Sequence, residues 1–227
     1  MRAIVAFGYE AVCALVPYAA AAAAHAHRSH AAAKGRHMAR PQQYVRWTHR
    51  AAVTLFGISL LAVVWICGVG TFADLWRSTQ PARMLNINLV PFRASMNWTT
   101  WALNVVLFAP FGFLLPCGWK GYDRIGRSAL FGFLFSLAIE LSQLLNFRVT
   151  DIDDLIANTL GAVVGCLIFL ALRAVFPRWW ERHLGPQTLE PCGNAAKDAA
   201  ALFLGVFFLY ASRRHAEMGI VNFLDRL

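Results

Sequence analysis

Polar side chains capable of chemistry occur inside apolar runs at three places in the chain. Glu140 and Gln143 stand three residues apart within the apolar run 128–147, with Ser136 one helical turn before Glu140. Asp151, Asp154, Asn158, Gly161 and Gly165 then advance by alternating steps of three and four, the spacing of a single helix face. Asn104 is a lone amide in the run 99–116. A carboxylate in such a setting can hold a proton, take an ion or accept hydrogen bonds from a ligand, and an amide can both donate and accept. A charged group among acyl chains costs kilocalories unless it meets a partner or a cavity, so each of these residues is a functional candidate.

A structural reading stands beside the functional one. Glu140 can be an acid whose hydrogen bonds tie helices together, and Asn104, Gln143 and Asn158 can be interhelical hydrogen-bonding groups. Thr150-x-x-Asp153 has the form of a capping box, and acids suit a helix N-terminus. Capping accounts for one or two of Asp151, Asp153 and Asp154. Three acids with Arg148 alongside, next to the Glu140 run, exceed what a cap needs.

The elements that position these residues must be membrane helices. Of 227 residues, 58% are hydrophobic and 15% charged, and mean hydropathy is +0.49. That balance excludes an ordinary soluble domain and a disordered chain. Four runs, 51–70, 99–116, 128–147 and 155–176, are each close to the length of about 20 helical residues that crosses a bilayer. Thirteen Lys and Arg lie in 28–50, 120–127 and 173–197, against four in the other two loops. This places the first group in the cytoplasm and the loops 71–98 and 148–153 outside. The net charge of +9 is read as orientation rather than as a nucleic-acid surface. Taking about 1.5 Å per residue, Asn104, Glu140 and Asn158 lie roughly 9, 10 and 6 Å in from the outer ends of their spans, in one outer-leaflet layer. Gly161 and Gly165 form a GxxxG that admits a neighbouring backbone. The third span is the expected neighbour, and the same pair offers a face for a homodimer.

The fold class is therefore all-α, a polytopic bundle of four core helices integral to the inner (cytoplasmic) membrane. Residues 1–45 read as an extension holding a fifth, uncleaved helix and then a basic His/Ala/Arg linker, with Met38 an alternative start. Residues 46–177 form the transmembrane domain. Residues 178–227 hold a cytoplasmic loop at 185–194, the short apolar run 199–211, and Ile220, Phe223, Leu224 and Leu227 at helical spacing, together an interfacial helical tail. The five cysteines form no CxxC, and His25, His27, His30 and His37 lack a Cys or carboxylate partner, so no metal or cofactor is expected.

The motifs Asn88-Leu-Val-Pro-Phe-Arg93, Asn104-Val-Val-Leu-Phe-Ala-Pro-Phe-Gly112, Glu140-Leu-Ser-Gln143, Asp151-Ile-Asp-Asp154 and Asn158-Thr-Leu-Gly161, in that order, resemble the VanZ-like family of integral membrane proteins over about residues 50–175. The resemblance implies a cell-envelope context, since the founding member is associated with teicoplanin resistance, and it implies no reaction. The leading expectation is a non-enzymatic bundle whose outward-open pocket binds a membrane lipid, a glycolipid or a lipophilic glycopeptide. Asn104, Glu140, Gln143, Asp151, Asp154 and Asn158 would line it, with Arg148 and Arg93 at the rim. A small transporter using Glu140 as a proton or ion site is second. An intramembrane enzyme acting on a lipid phosphate through Glu140 and Asp154 is third, and the absence of HExxH and GxSxG motifs argues against it.

Overall fold

The computed structural model describes residues 2–34, 43–75, 87–93, 97–146, 150–184 and 192–209. Met38, Arg148, residues 185–191 of the 185–194 loop, and Ile220 through Leu227 lie outside the described residues. The chain runs α1 (Arg2–Lys34), α2 (Gln43–Cys67), α3 (Phe72–Leu75), β1 (Ile87–Asn88), α4 (Trp98–Gly118), α5 (Ile125–Gln143), β2 (Thr150–Asp151), α6 (Ile152–Val175), α7 (Pro177–Leu184) and α8 (Cys192–Leu209). Four helices are long and apolar enough to cross a membrane: Thr48–Cys67, Trp98–Gly118, Ile125–Gln143 and Ile152–Val175. They match the four hydropathy runs, except that α5 stops at Gln143 and a 3-10 turn, Leu144–Asn146, carries the chain onward.

Local signals set the helix ends. Asn97 caps α4 by accepting from the amides of Thr99 at 3.0 Å and Thr100 at 3.2 Å, which satisfies donors a helix start leaves free. Asp151 caps α6 by accepting from the Asp153 amide at 3.0 Å, and Arg173 in the last turn complements the dipole. The expected Thr150–Asp153 capping box does not form. Thr150 instead donates its hydroxyl to the Glu140 carbonyl at 3.2 Å, because residues 150–151 are drawn into a strand. β1 and β2 pair in parallel, Ile87 with Thr150 and Asn88 with Asp151, and mark the upper end of the bundle.

The closest helix pair is α4 with α6. A methyl group added to Gly165 would lie 2.0 Å from the Ala109 carbonyl oxygen, and one on Gly161 2.5 Å from that of Val105. Gly112 on α4 reciprocates, 2.1 Å from the Ala162 oxygen. The glycine face therefore meets the second span rather than the third, and α4 of the same chain fills the face that a homodimer through Gly161 and Gly165 would use. The third span, α5, packs on a neighbouring face of α6, where Gly132 comes close to the Ala162 methyl. An aromatic core joins α2, α4 and α5: Phe56 stacks on Phe111 at 5.3 Å and meets Trp119 edge-on at 4.8 Å, and Phe111 stacks on Phe135 at 5.6 Å.

The first and last helices form a layer beside α2. Tyr9 on α1 donates to the Leu209 carbonyl at the end of α8 at 2.9 Å, Gly205 lies against Cys13 and Pro17, and Tyr18 donates to the Val53 carbonyl on α2. The two helices thus run antiparallel. The upper end of α8 reaches α3, with Phe208 and Phe72 rings 5.9 Å apart. The apolar run expected at an interface is docked along α1 and α2, with Leu202 and Val206 fully buried. α1 is helical to Lys34, through part of the tract read as linker. At the lower end α7 packs Trp180 on Phe169 at 4.9 Å, and Thr48 donates to the His183 carbonyl at 2.6 Å.

Candidate functional site at the upper end of the bundle

The polar residues converge where α4 and α6 begin and α5 ends. Glu140, on the last turns of α5, is buried and accepts the Asp151 amide at 3.1 Å. Asp151 in turn accepts the Asn88 side-chain amide at 3.0 Å. One turn into α6, Asp154 accepts the Asn104 amide from α4 at 2.7 Å. Asn158, a turn deeper and only 1% exposed, donates to the Ser136 hydroxyl on α5 at 2.9 Å. Asn104, Glu140, Asp151, Asp154 and Asn158 thus gather at one end of the bundle in three hydrogen-bonded pairs, Asn104 with Asp154, Glu140 with Asp151 and Asn158 with Ser136.

Asn158 has an unmet need. Its carbonyl oxygen is buried and has no hydrogen-bond partner among the described residues. Burying an acceptor without a donor costs about 1–3 kcal/mol, a cost that a donor brought to this atom would remove.

Other expected site residues fall elsewhere. Gln143 donates to the Cys67 carbonyl at the end of α2 at 2.7 Å, and Ser142 beside it accepts the Gly70 amide at 3.2 Å. This pair staples α2 to α5 and leaves the carboxylate cluster. Arg93 is exposed at the end of the loop that follows β1. Among the described residues no three His, Cys, Asp or Glu side chains converge to hold a metal ion.

The contact that the residue types did not reveal is Asp153. It is buried, and its two carboxylate oxygens accept the Phe92 amide at 2.9 and 3.2 Å. Phe92 follows Pro91 in a turn and has φ +54, where Gly or Asn is usual. A left-handed non-glycine residue costs about 1–3 kcal/mol. A hydrogen bond to a charged group contributes about 1.5–3 kcal/mol, so the Asp153 contact offsets the strain. Two of the three acids therefore fasten the loop and cap α6, and Asp154 alone reaches across to α4. The one available signal was Asn88 and Phe92 within a motif ahead of a membrane span.

Fold and site together define a helical membrane protein with a polar cluster at one end of its apolar helices. A family model described as VanZ/LLP1 matches residues 56–173, just over half of the chain, and the chain belongs to that family. Protein VanZ of Enterococcus faecium is 35% identical over 85 residues, which are 37% of this chain and 52% of that protein. The aligned stretch spans about half the length of this curated relative. No solved structure matches the chain.

Proposed function

We propose that this VanZ-like protein binds the polar part of an amphiphilic envelope molecule, a lipid, glycolipid or lipophilic glycopeptide, at the upper-end cluster, and through it alters susceptibility to teicoplanin. The observation that carries the reading is the Asn158 carbonyl oxygen, buried and unpartnered among the described residues beside Ser136. A ligand hydroxyl or amide donor meets that need, and intramembrane polar groups belong against protein or polar ligand rather than acyl chains. The chemistry is recognition by hydrogen bonding, with no bond made or broken.

The test is native mass spectrometry of protein purified from a bacterial membrane. The wild-type chain is expected to retain a polar lipid or glycolipid, and Asn158→Leu to lose it while keeping its helix content. Equal retention by both, or by neither, refutes the reading.

The same proposal sets the protein in the inner membrane as a multi-pass chain with its upper end outward, since the loops at the lower end carry the excess of Lys and Arg. Single cysteines introduced as Thr99→Cys and Lys120→Cys, both at exposed positions, test this in an otherwise cysteine-free chain. An impermeant maleimide added to intact cells is expected to label the first and spare the second. The opposite pattern inverts the topology.

A further inference from the structure

The loop between β1 and α4 holds large apolar side chains away from the protein. Leu89 is 71% exposed, Val90 50%, Phe92 52% and Trp98, at the start of α4, 63%. Phe92, Trp98 and Trp101 form one patch, with the Phe92 and Trp98 rings stacked at 6.3 Å and Trp98 edge-on to Trp101 at 6.1 Å, and Leu89 and Val90 precede Phe92 in the same loop. A flexible loop would fold such side chains inward, and this one is held from doing so. Its strand is paired with β2. Asn88 bridges to Asp151 and accepts the Val90 amide at 3.3 Å. Phe92 is locked at φ +54 by Asp153. Three separate restraints maintain an arrangement that water disfavours.

We propose that residues 89–92 with Trp98 are a preformed lipid-inserting tip, which enters the bilayer leaflet at the upper end and contacts acyl chains. Three features select lipid as the occupant. The patch is continuous with the start of a helix long and apolar enough to cross the membrane, so it sits at the level where the leaflet begins. Trp98 and Trp101 are the residue type that settles at that level. Arg93, exposed directly after the apolar stretch, supplies a guanidinium of the kind that pairs with a lipid phosphate. A contiguous exposed apolar patch rimmed by polar residues marks an interaction surface. Of the two carboxylates that rigidify it, Asp151 is also a member of the cluster, its backbone amide donating to Glu140, while Asp153 holds the loop. Insertion of the tip does not depend on whether the cluster binds a ligand.

The experiment measures depth. A nitroxide attached through Val90→Cys, in the full chain with its native cysteines replaced, is reconstituted in vesicles of phosphatidylcholine and phosphatidylglycerol. Its collisions with oxygen and with a water-soluble nickel chelate are then compared. Oxygen accessibility exceeding nickel accessibility, with the reverse at a Lys120→Cys control, is the expected result. Nickel accessibility matching the control overturns the proposal. A label shielded from both reagents also overturns it, in favour of a protein contact on this surface. Should the cysteine-replaced chain fail to insert, Val90→Trp in the otherwise native chain reads the same depth by fluorescence. A new emission component quenched by brominated lipid supports insertion, and one quenched only by acrylamide refutes it.

Discussion

Gly165→Leu is expected to leave almost no folded protein. A methyl group at this position would already lie 2.0 Å from the Ala109 oxygen, 2.6 Å from the Phe113 nitrogen and 2.9 Å from the Gly112 carbonyl carbon. All three obstacles are backbone atoms of α4, which no rotamer change can move. Ordinary overpacking costs roughly 1–3 kcal/mol because side chains adjust. Here α4 and α6 must separate, and their separation pulls Asn104 from Asp154, whose 2.7 Å contact bridges the same two helices. The total stability of a domain is only about 5–15 kcal/mol. Size-exclusion profile and thermal unfolding in detergent check this, against Gly126→Ala as control. Gly126 is exposed with nothing within 4 Å, and alanine there favours the helix by up to about 1 kcal/mol. A Gly165→Leu chain that unfolds within a few degrees of the wild type would mean that α4 and α6 do not pack as described.

The same pair of helices shows where sequence reading reaches and where it stops. Membrane helices are long, and their apolar character needs only a count, so all four appear near their places. The stripe from Asp151 to Gly165 is also legible, because helical periodicity is local. Which helix the stripe meets is not local. A short loop suggested α5, and α5 does take Asn158 through Ser136. The glycines instead select α4, where Gly161 meets the Val105 carbonyl and Gly165 meets Ala109 and Gly112. Gly112 was visible, but a pairing between two small-residue faces leaves no trace in either face alone.

Two other features lay beyond local pattern. A strand pair of two residues each is too short for any alternation to register, and with it went the Asp153 contact to Phe92 and the shift of the cap from Thr150 to Asp151. The α1 and α8 layer joins residues about as far apart in the chain as it allows, Tyr9 with Leu209. An apolar run of 199–211 considered alone looks too short to be more than an interfacial tail. Its described part, to Leu209, is docked against Cys13 and Pro17 and belongs to the packed bundle.

Glu140→Gln is expected to give a folded chain that has lost its function. In the structure one carboxylate oxygen of Glu140 accepts the Asp151 amide, and the backbone carbonyl of the same residue accepts the Thr150 hydroxyl. Glutamine retains a side-chain oxygen for the first and the backbone for the second. If tethering β2 to α5 were the only task, Glu140→Gln would therefore keep both contacts and protect as the wild type does. Glu140→Leu separates the two roles from the other side: it orphans the Asp151 amide, which costs about 1–3 kcal/mol, and it should lower the unfolding midpoint. The functional reading needs more than an acceptor, since a carboxylate beside Asp151 and within a turn of Ser136 can receive a ligand's hydroxyl or ammonium donors more strongly than an amide can. Expressed in a teicoplanin-sensitive bacterium, the wild-type chain should raise the inhibitory concentration of the drug. Glu140→Gln should reach the membrane in equal amount, unfold at the same temperature and leave the inhibitory concentration at the level of cells without the protein. Protection by Glu140→Gln equal to that of the wild type would reduce Glu140 to a tether, and the ligand's contacts would then have to be sought at Asn158 and Asp154.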